Sequence, residues 1–137
     1  MQCHGEQELS SAGFRQYEIS AFSRPGAQCR HNLNYWLFGD YIGIGAGAHG
    51  KITDLEQQRV LRRWRVRDPM RYLALAGTPG AVSGQRVLDQ ADRVLEFMLN
   101  ACRLKRGFSK GLFESRTGIA IARVQPRLEQ AFSGGLL

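Results

Sequence analysis

The chain has 137 residues, 43% of them hydrophobic, and a formal net charge of +7. That length suits one domain with an ordinary core, or pieces of two, and the class is soluble and globular. No apolar run reaches the roughly eighteen residues of a membrane span, MQCHGEQELSS lacks the regions of a signal peptide, and Cys3, Cys29 and Cys102 fit reduced thiols, so a cytoplasmic protein is expected.

In chain order, GFRQYEISAF alternates polar and apolar and predicts a short core strand around Phe14, Tyr17, Ile19 and Phe22, broken by Pro25 and Gly26. CRHNLNYWLFGD, dense in aromatic and polar groups, leads into the glycine loop, after which KIT and RVLRRWRV read as extended segments. Asp68 as N-cap and Pro69 at the first position start a helix over PMRYLALAG. GTPGAVSGQ, residues 77–85, reads as a linker and domain boundary. Beyond it Val87, Leu88, Ala91, Val94, Leu95, Met98, Ala101 and Cys102 share one helical face, and shorter helices begin at Thr117 and Pro126. Strands and loops followed by helices predict an α+β fold rather than a regular α/β repeat.

The positive charge concentrates in RVLRRWRVRDPMR, residues 59–71. Such a run attracts nucleic acid, an anionic membrane face or an acidic ligand, or simply faces water while Val60, Leu61, Trp64 and Val66 turn inward. No regular base-stacking aromatics accompany the arginines, which disfavours nucleic acid.

Gly45, Gly47 and Gly50 form a literal G-x-G-x-x-G. A dinucleotide-binding turn requires a buried strand before it and a helix N-terminus after it, to hold the pyrophosphate. Here YIGIG already contains two of the loop's glycines and KIT is no helix start. The expectation is therefore a tight bend at a barrel rim, or close approach of backbone to a ligand.

CRHNLNYW and YIGIGAGAHG at this spacing, together with FMLNACRLKRG, FESRTG and LEQAFSGGLL, resemble the HemW-type haem chaperones, a branch of the radical S-adenosylmethionine superfamily often labelled oxygen-independent coproporphyrinogen III oxidase-like. The resemblance runs from residue 9 to residue 137. Family members carry an N-terminal barrel with a Cys-x3-Cys-x2-Cys motif for a 4Fe-4S cluster. This chain has no such motif, and three widely separated cysteines cannot replace it. The resemblance thus implies the C-terminal part of a longer protein. Residues 1–76 would hold the last strands of a partial β/α barrel and the haem-motif loop, residues 77–85 a linker, and residues 86–137 a mainly helical, winged-helix-like domain. It also implies that YIGIGAGAHG is a late barrel strand with Gly45, Gly47, Ala48 and His49 facing S-adenosylmethionine.

The haem motif of the resemblance falls on His31, Asn32, Tyr35 and Trp36. A neutral imidazole is a common axial ligand of haem iron, Tyr35, Trp36 and Phe38 suit a porphyrin face, and Arg24 and Arg30 suit its propionates. Cys29 is the competing ligand. In an extended segment Cys29 and His31 point to one side about 7 Å apart; in a helix they diverge, and His31 shares a face with Tyr35 instead. Either way one ligand at most is supplied locally. Zinc on Cys3, His4, Cys29 and His31 has suitable atoms without a known spacing.

The implied function is to hold haem and pass it to apo-haemoproteins, including respiratory ones at the inner membrane face, without catalysis by this chain alone. The alternatives are part of a coproporphyrinogen oxidase of porphyrin biosynthesis and a basic nucleic-acid-binding module. An open barrel edge over residues 14–50 predicts aggregation or dimerisation.

Overall fold

The computed structural model describes residues 2–135; Met1 and the final two leucines of SGGLL lie outside the described residues. The chain divides into two compact units. One comprises the residues up to Phe38 and those from Glu96 onward, the other Gly39–Leu95.

The first unit opens with helix α1 (Gln2–Ser11), followed by strands β1 (Arg15–Glu18) and β2 (Ala21–Ser23). These two strands form an antiparallel hairpin whose register shifts between Gln16 and Glu18. Where one continuous strand is expected over GFRQYEISAF, the chain turns at Ile19 and Ser20. The irregularity changes which side chains face inward, leaving Glu18 2% exposed and Ile19 54% exposed. Helix α2 (Arg30–Trp36) comes next, so the helical alternative for the haem motif is the one observed.

Phe38 follows α2 with φ +55°, a left-handed conformation that costs a bulky residue about 1–2 kcal/mol. Its ring is 1% exposed and meets Phe97 edge-on at 5.9 Å. Phe38 is therefore a core residue and not part of a porphyrin face. Phe97 lies on helix α4 (Gln90–Ala101), whose last turns belong to this unit. It also makes edge-on contacts with Phe108 at 4.9 Å and Phe113 at 5.1 Å, pairs worth roughly 0.5–1.5 kcal/mol each beyond burial.

Helix α5 (Lys110–Thr117) starts at Ser109, whose hydroxyl accepts from the Leu112 amide at 3.1 Å, and ends at left-handed Gly118. Thr117, expected to start a helix, closes this one, with its hydroxyl donating to the Phe113 carbonyl at 2.7 Å. Helix α6 (Gln125–Ser133) carries Pro126 in its first turn, as the sequence predicts. The helical character of this half is as expected. A winged-helix arrangement also needs a strand hairpin beyond its helices, and no named strand occurs after Leu88 among the described residues.

The second unit is a three-stranded antiparallel sheet of β3 (His49–Asp54), β4 (Arg59–Arg65) and β5 (Val82–Leu88), in that order. Every paired strand in the described residues is antiparallel. A β/α barrel requires parallel neighbours joined by long crossovers, so the strands expected for a barrel over residues 14–76 pair differently here. The expected linker is also replaced. Residues 77–85 pass through a 3-10 turn at Pro79–Ala81 into β5, and Val87 and Leu88 belong to that strand rather than to α4. The glycine and proline content of that stretch signals a turn, but Val82 and Val87 propagate strand pairing beyond it. Helix α3 (Pro69–Leu75) forms as predicted, with the Asp68 carboxylate accepting from the Arg71 amide at 2.7 Å and Pro69 at its start.

The sheet is unusual in carrying a row of cations. Lys51 stands opposite Arg62, and Arg62 opposite Arg86, on one face beside the buried pair Val60 and Leu88. Like charges directly opposite each other destabilise a sheet. Each of these is countered from outside the sheet: Lys51 by Asp40 at 2.8 Å, Arg62 by the Tyr41 hydroxyl and ring, and Arg86 by Asp92 at 2.6 Å.

Candidate functional site

Two segments carry the candidate residues, one in each unit. In the first, CRHNLNYW folds as α2 with Cys29 at the N-cap position, extended and without a side-chain capping bond. The helical spacing brings His31 against Tyr35, with ring centroids 4.9 Å apart and planes at 70°. His31 and Cys29 are both exposed. The helix thus separates the two competing ligands, leaving Cys29 outside it and His31 supported by an aromatic neighbour.

Asn32 and Trp36, four residues apart on another side of α2, are used by the fold. The Asn32 amide donates to the Tyr17 hydroxyl at 3.4 Å. Trp36 lies under the Arg103 guanidinium, 4.3 Å from its ring centroid, a cation–π contact. Arg103 in turn reaches Glu18 at 3.4 Å and Ser20 at 3.0 Å, and Ser20 donates to Glu18 at 2.9 Å. The motif therefore divides into a presented pair, His31 and Tyr35, and an anchoring pair, Asn32 and Trp36. Arg24, assigned to propionates in the sequence reading, stands over the Phe14 ring at 5.5 Å, and Arg30 opens α2 in an exposed position. The anchor Arg103 and the buried acid Glu18 escape sequence reasoning, because a single acid in a strand and a single arginine after a helix carry no local signal.

In the second unit the glycine loop doubles back on itself. Tyr41 and Lys51 exchange both backbone hydrogen bonds at 2.9 Å, closing residues 42–50 into a loop. At Gly43 an added Cβ would lie 2.2 Å from the His49 carbonyl oxygen, so bare backbone is required by the other limb of the loop. Gly47 has φ +69°, and its amide donates to the Val66 carbonyl at 2.8 Å. The Gly45 amide donates to the Tyr72 hydroxyl of α3 at 3.1 Å, and the Ala48 amide to the Gly45 carbonyl at 3.2 Å. Those amides are occupied by the fold, and strand β3 rather than a helix follows, so this is not a dinucleotide-binding turn. His49, exposed at the loop's end, lies against Trp64 with centroids 6.4 Å apart.

A cleft of about 220 Å³ between the loop and the sheet is lined by Tyr41, Ile42, Gly43, Ile52, Arg63 and Arg65 among others. It is smaller than the roughly 300 Å³ at which small-molecule pockets begin. Beside it, Asp40 accepts from Lys51 Nζ, the Thr53 amide and the Thr53 hydroxyl, each at 2.8 Å. Partial burial by itself would raise the Asp40 carboxyl, but these donors outweigh it and hold the pKa below its ordinary value.

No three His, Cys, Asp or Glu side chains among the described residues are grouped to hold a metal ion. The zinc set Cys3, His4, Cys29 and His31 is thus not assembled, and no group of this kind for an iron–sulfur cluster occurs among the described residues. No helix among the described residues is long and apolar enough to cross a membrane.

An α+β chain with a histidine-bearing short helix and a self-closed glycine loop is thus in place, and over 49 residues, 36% of the chain and 11% of the relative, the sequence is 55% identical to the mouse mitochondrial radical S-adenosyl methionine domain-containing protein 1. The fuller similarity is to the haem chaperone HemW. The chain is 41% identical to that of Escherichia coli over 133 residues, covering 97% of this chain and 34% of the relative. It is 39% identical to that of Haemophilus influenzae over 127 residues, covering 93% and 32%. The chain is thus related to the HemW chaperones across nearly all of its own length and spans about a third of theirs. No family profile matches the chain, and no solved structure matches it.

Proposed function

We propose that this chain is the C-terminal portion of a HemW-like haem chaperone, and that α2 presents the haem-binding side chain. The observation that carries this reading is the arrangement of His31, exposed on a short helix and braced by the edge of the Tyr35 ring. A neutral imidazole offers its lone pair to haem iron, while an exposed position leaves the cargo open to capture by a recipient. Asn32 and Trp36 act as the anchors that hold the helix, and Cys29 plays no part as a ligand.

In the intact chaperone, residues 45–49 would face S-adenosylmethionine, and the cluster ligands would lie in a part of the protein beyond this sequence. Recipients are apo-haemoproteins in the cytoplasm or at the inner face of the membrane, and the open strand edges favour a homodimer.

A haem titration followed at the Soret band tests the ligand. A saturable shift that is lost in His31→Ala and kept in Cys29→Ala is expected. A shift unchanged by His31→Ala, or lost in Cys29→Ala alone, overturns the assignment. Since both side chains are exposed, far-ultraviolet circular dichroism should be unchanged in either variant.

A further inference from the structure

A second cleft in the second unit is not part of either candidate segment. It encloses about 580 Å³ and is lined by Trp64, Val66, Arg67, Asp68, Arg71, Gly80, Val82 and Ser83. Its walls come from the end of β4, the start of α3 and the turn into β5, three pieces held together by main-chain bonds. The Val66 amide donates to the Ala81 carbonyl at 3.0 Å, and the Gly47 amide to the Val66 carbonyl at 2.8 Å.

The cations lining it differ from the other arginines of the sheet. Arg59 is paired with Asp54, Arg62 with Tyr41, Arg63 with Gln85, Arg65 with the Gly43 carbonyl and Arg86 with Asp92. Among the described residues, Arg67 and Arg71 have no side-chain hydrogen bond, ion pair or ring contact. The Asp68 carboxylate, the acid in the lining, is engaged at the helix start, accepting from the Arg71 amide, while Arg67 and Arg71 are exposed. The Arg67 stem runs along Gly47, where an added Cβ would come 3.7 Å from its Cγ, which sets its direction from the backbone. Trp64 supplies a flat wall: its indole lies so close over Gly84 that a Cβ there would meet the ring at 2.5 Å, so one face of the ring is seated on the strand. Ser83 adds a hydroxyl.

We infer that this cleft is an oxyanion-binding site, in which Arg67 and Arg71 hold a phosphate ester or carboxylate whose adjoining ring lies against Trp64. Planar guanidinium groups match both oxyanions with paired hydrogen bonds, and an indole wall suits a flat ring. The ligand class is a small planar-ring molecule carrying two negative charges close together, on one phosphate in a nucleoside monophosphate or on two neighbouring carboxylates in an aromatic dicarboxylate. The inference does not depend on the haem reading, because none of its residues lies on α2.

Isothermal titration calorimetry of the whole chain with AMP, inorganic phosphate, phthalate and adenosine tests it. AMP or phthalate should bind, adenosine should not, and affinity should fall at least tenfold in the Arg67→Gln/Arg71→Gln variant. Tighter binding of AMP than of phthalate identifies a phosphate site, and the reverse order a carboxylate site. The Arg67→Lys/Arg71→Lys variant keeps the charge without the fork and should bind with intermediate affinity; its retained fold separates loss of binding from loss of structure. Arg63→Gln, which removes a side chain already engaged by Gln85 and outside the lining of this cleft, should bind as the parent does. Absence of binding by AMP and phthalate alike, or binding undiminished in the double glutamine variant, overturns the inference.

Discussion

Lys51 in the sheet and Glu18 in the hairpin are both 2% exposed, yet their charges are met in different ways. Lys51 has Asp40 at 2.8 Å, and that carboxylate is itself fixed by two further 2.8 Å bonds from Thr53. Glu18 has Arg103 at the longer distance of 3.4 Å and shares it with Ser20. The first is a closed ion pair with a rigid acceptor. The second is a relay whose outer member, Arg103, is partly exposed and also packs on Trp36. A buried charge is retained at low cost only when its partner is pre-positioned, so the sheet depends on Asp40 more than the hairpin depends on any one group.

The largest expected effect is at Asp40. Removing it in Asp40→Ala leaves Lys51 facing Arg62 without its acid, and about 3 kcal/mol of stability should be lost in urea denaturation, the lower end for a broken buried pair because Asp40 is itself partly exposed. A loss of under 1 kcal/mol would break the comparison. Glu18→Gln is the matching change in the hairpin. It retains the acceptor for Ser20 and should cost roughly 1–2 kcal/mol, less than Asp40→Ala. If α2 is anchored through Arg103, the same variant should also alter the near-ultraviolet signal of Trp36.

The smallest effect is the pH dependence of the Asp40 pair. Its carboxyl is held below the ordinary value of 3.8, so the folded state binds fewer protons than the unfolded one. Stability from this group is fully present above the unfolded pKa and is lost as pH falls through 3.8 toward the lower folded pKa. The parent should therefore lose stability below that pH more steeply than Asp40→Asn, and the two curves should run parallel in neutral solution. Equal slopes in acid would show that Asp40 gains nothing from its donors.

The two candidate segments differ in how readable they were. The α2 motif was legible as chemistry: His31, Asn32, Tyr35 and Trp36 could be singled out, but whether they stood on a strand or a helix was open. The helix then sorted them into a presented pair and an anchoring pair, a distinction set by Tyr17 and Arg103, residues distant in the chain. The glycine loop was legible as an anomaly. Its rejection as a dinucleotide turn followed from the neighbouring sequence alone, whereas the reason for Gly43 lies in the His49 backbone that folds over it. Residues 77–85 misled because turn chemistry at Pro79 and Gly80 is local, while recruitment of Val82–Leu88 into the sheet depends on β4 being available to pair.

What the sequence by itself determined is what local chemistry controls: the α+β character, the Asp68–Pro69 helix start, the extended arginine-rich segment, the lack of a cluster motif and the kinship with haem chaperones. Only the tertiary structure decided which charges are buried together, that Phe38 belongs to the core, that the strands pair antiparallel, and that Arg67 and Arg71 share a cleft. These depend on contacts between residues far apart in the chain, where pairing geometry and desolvation, rather than local propensity, set the free energy.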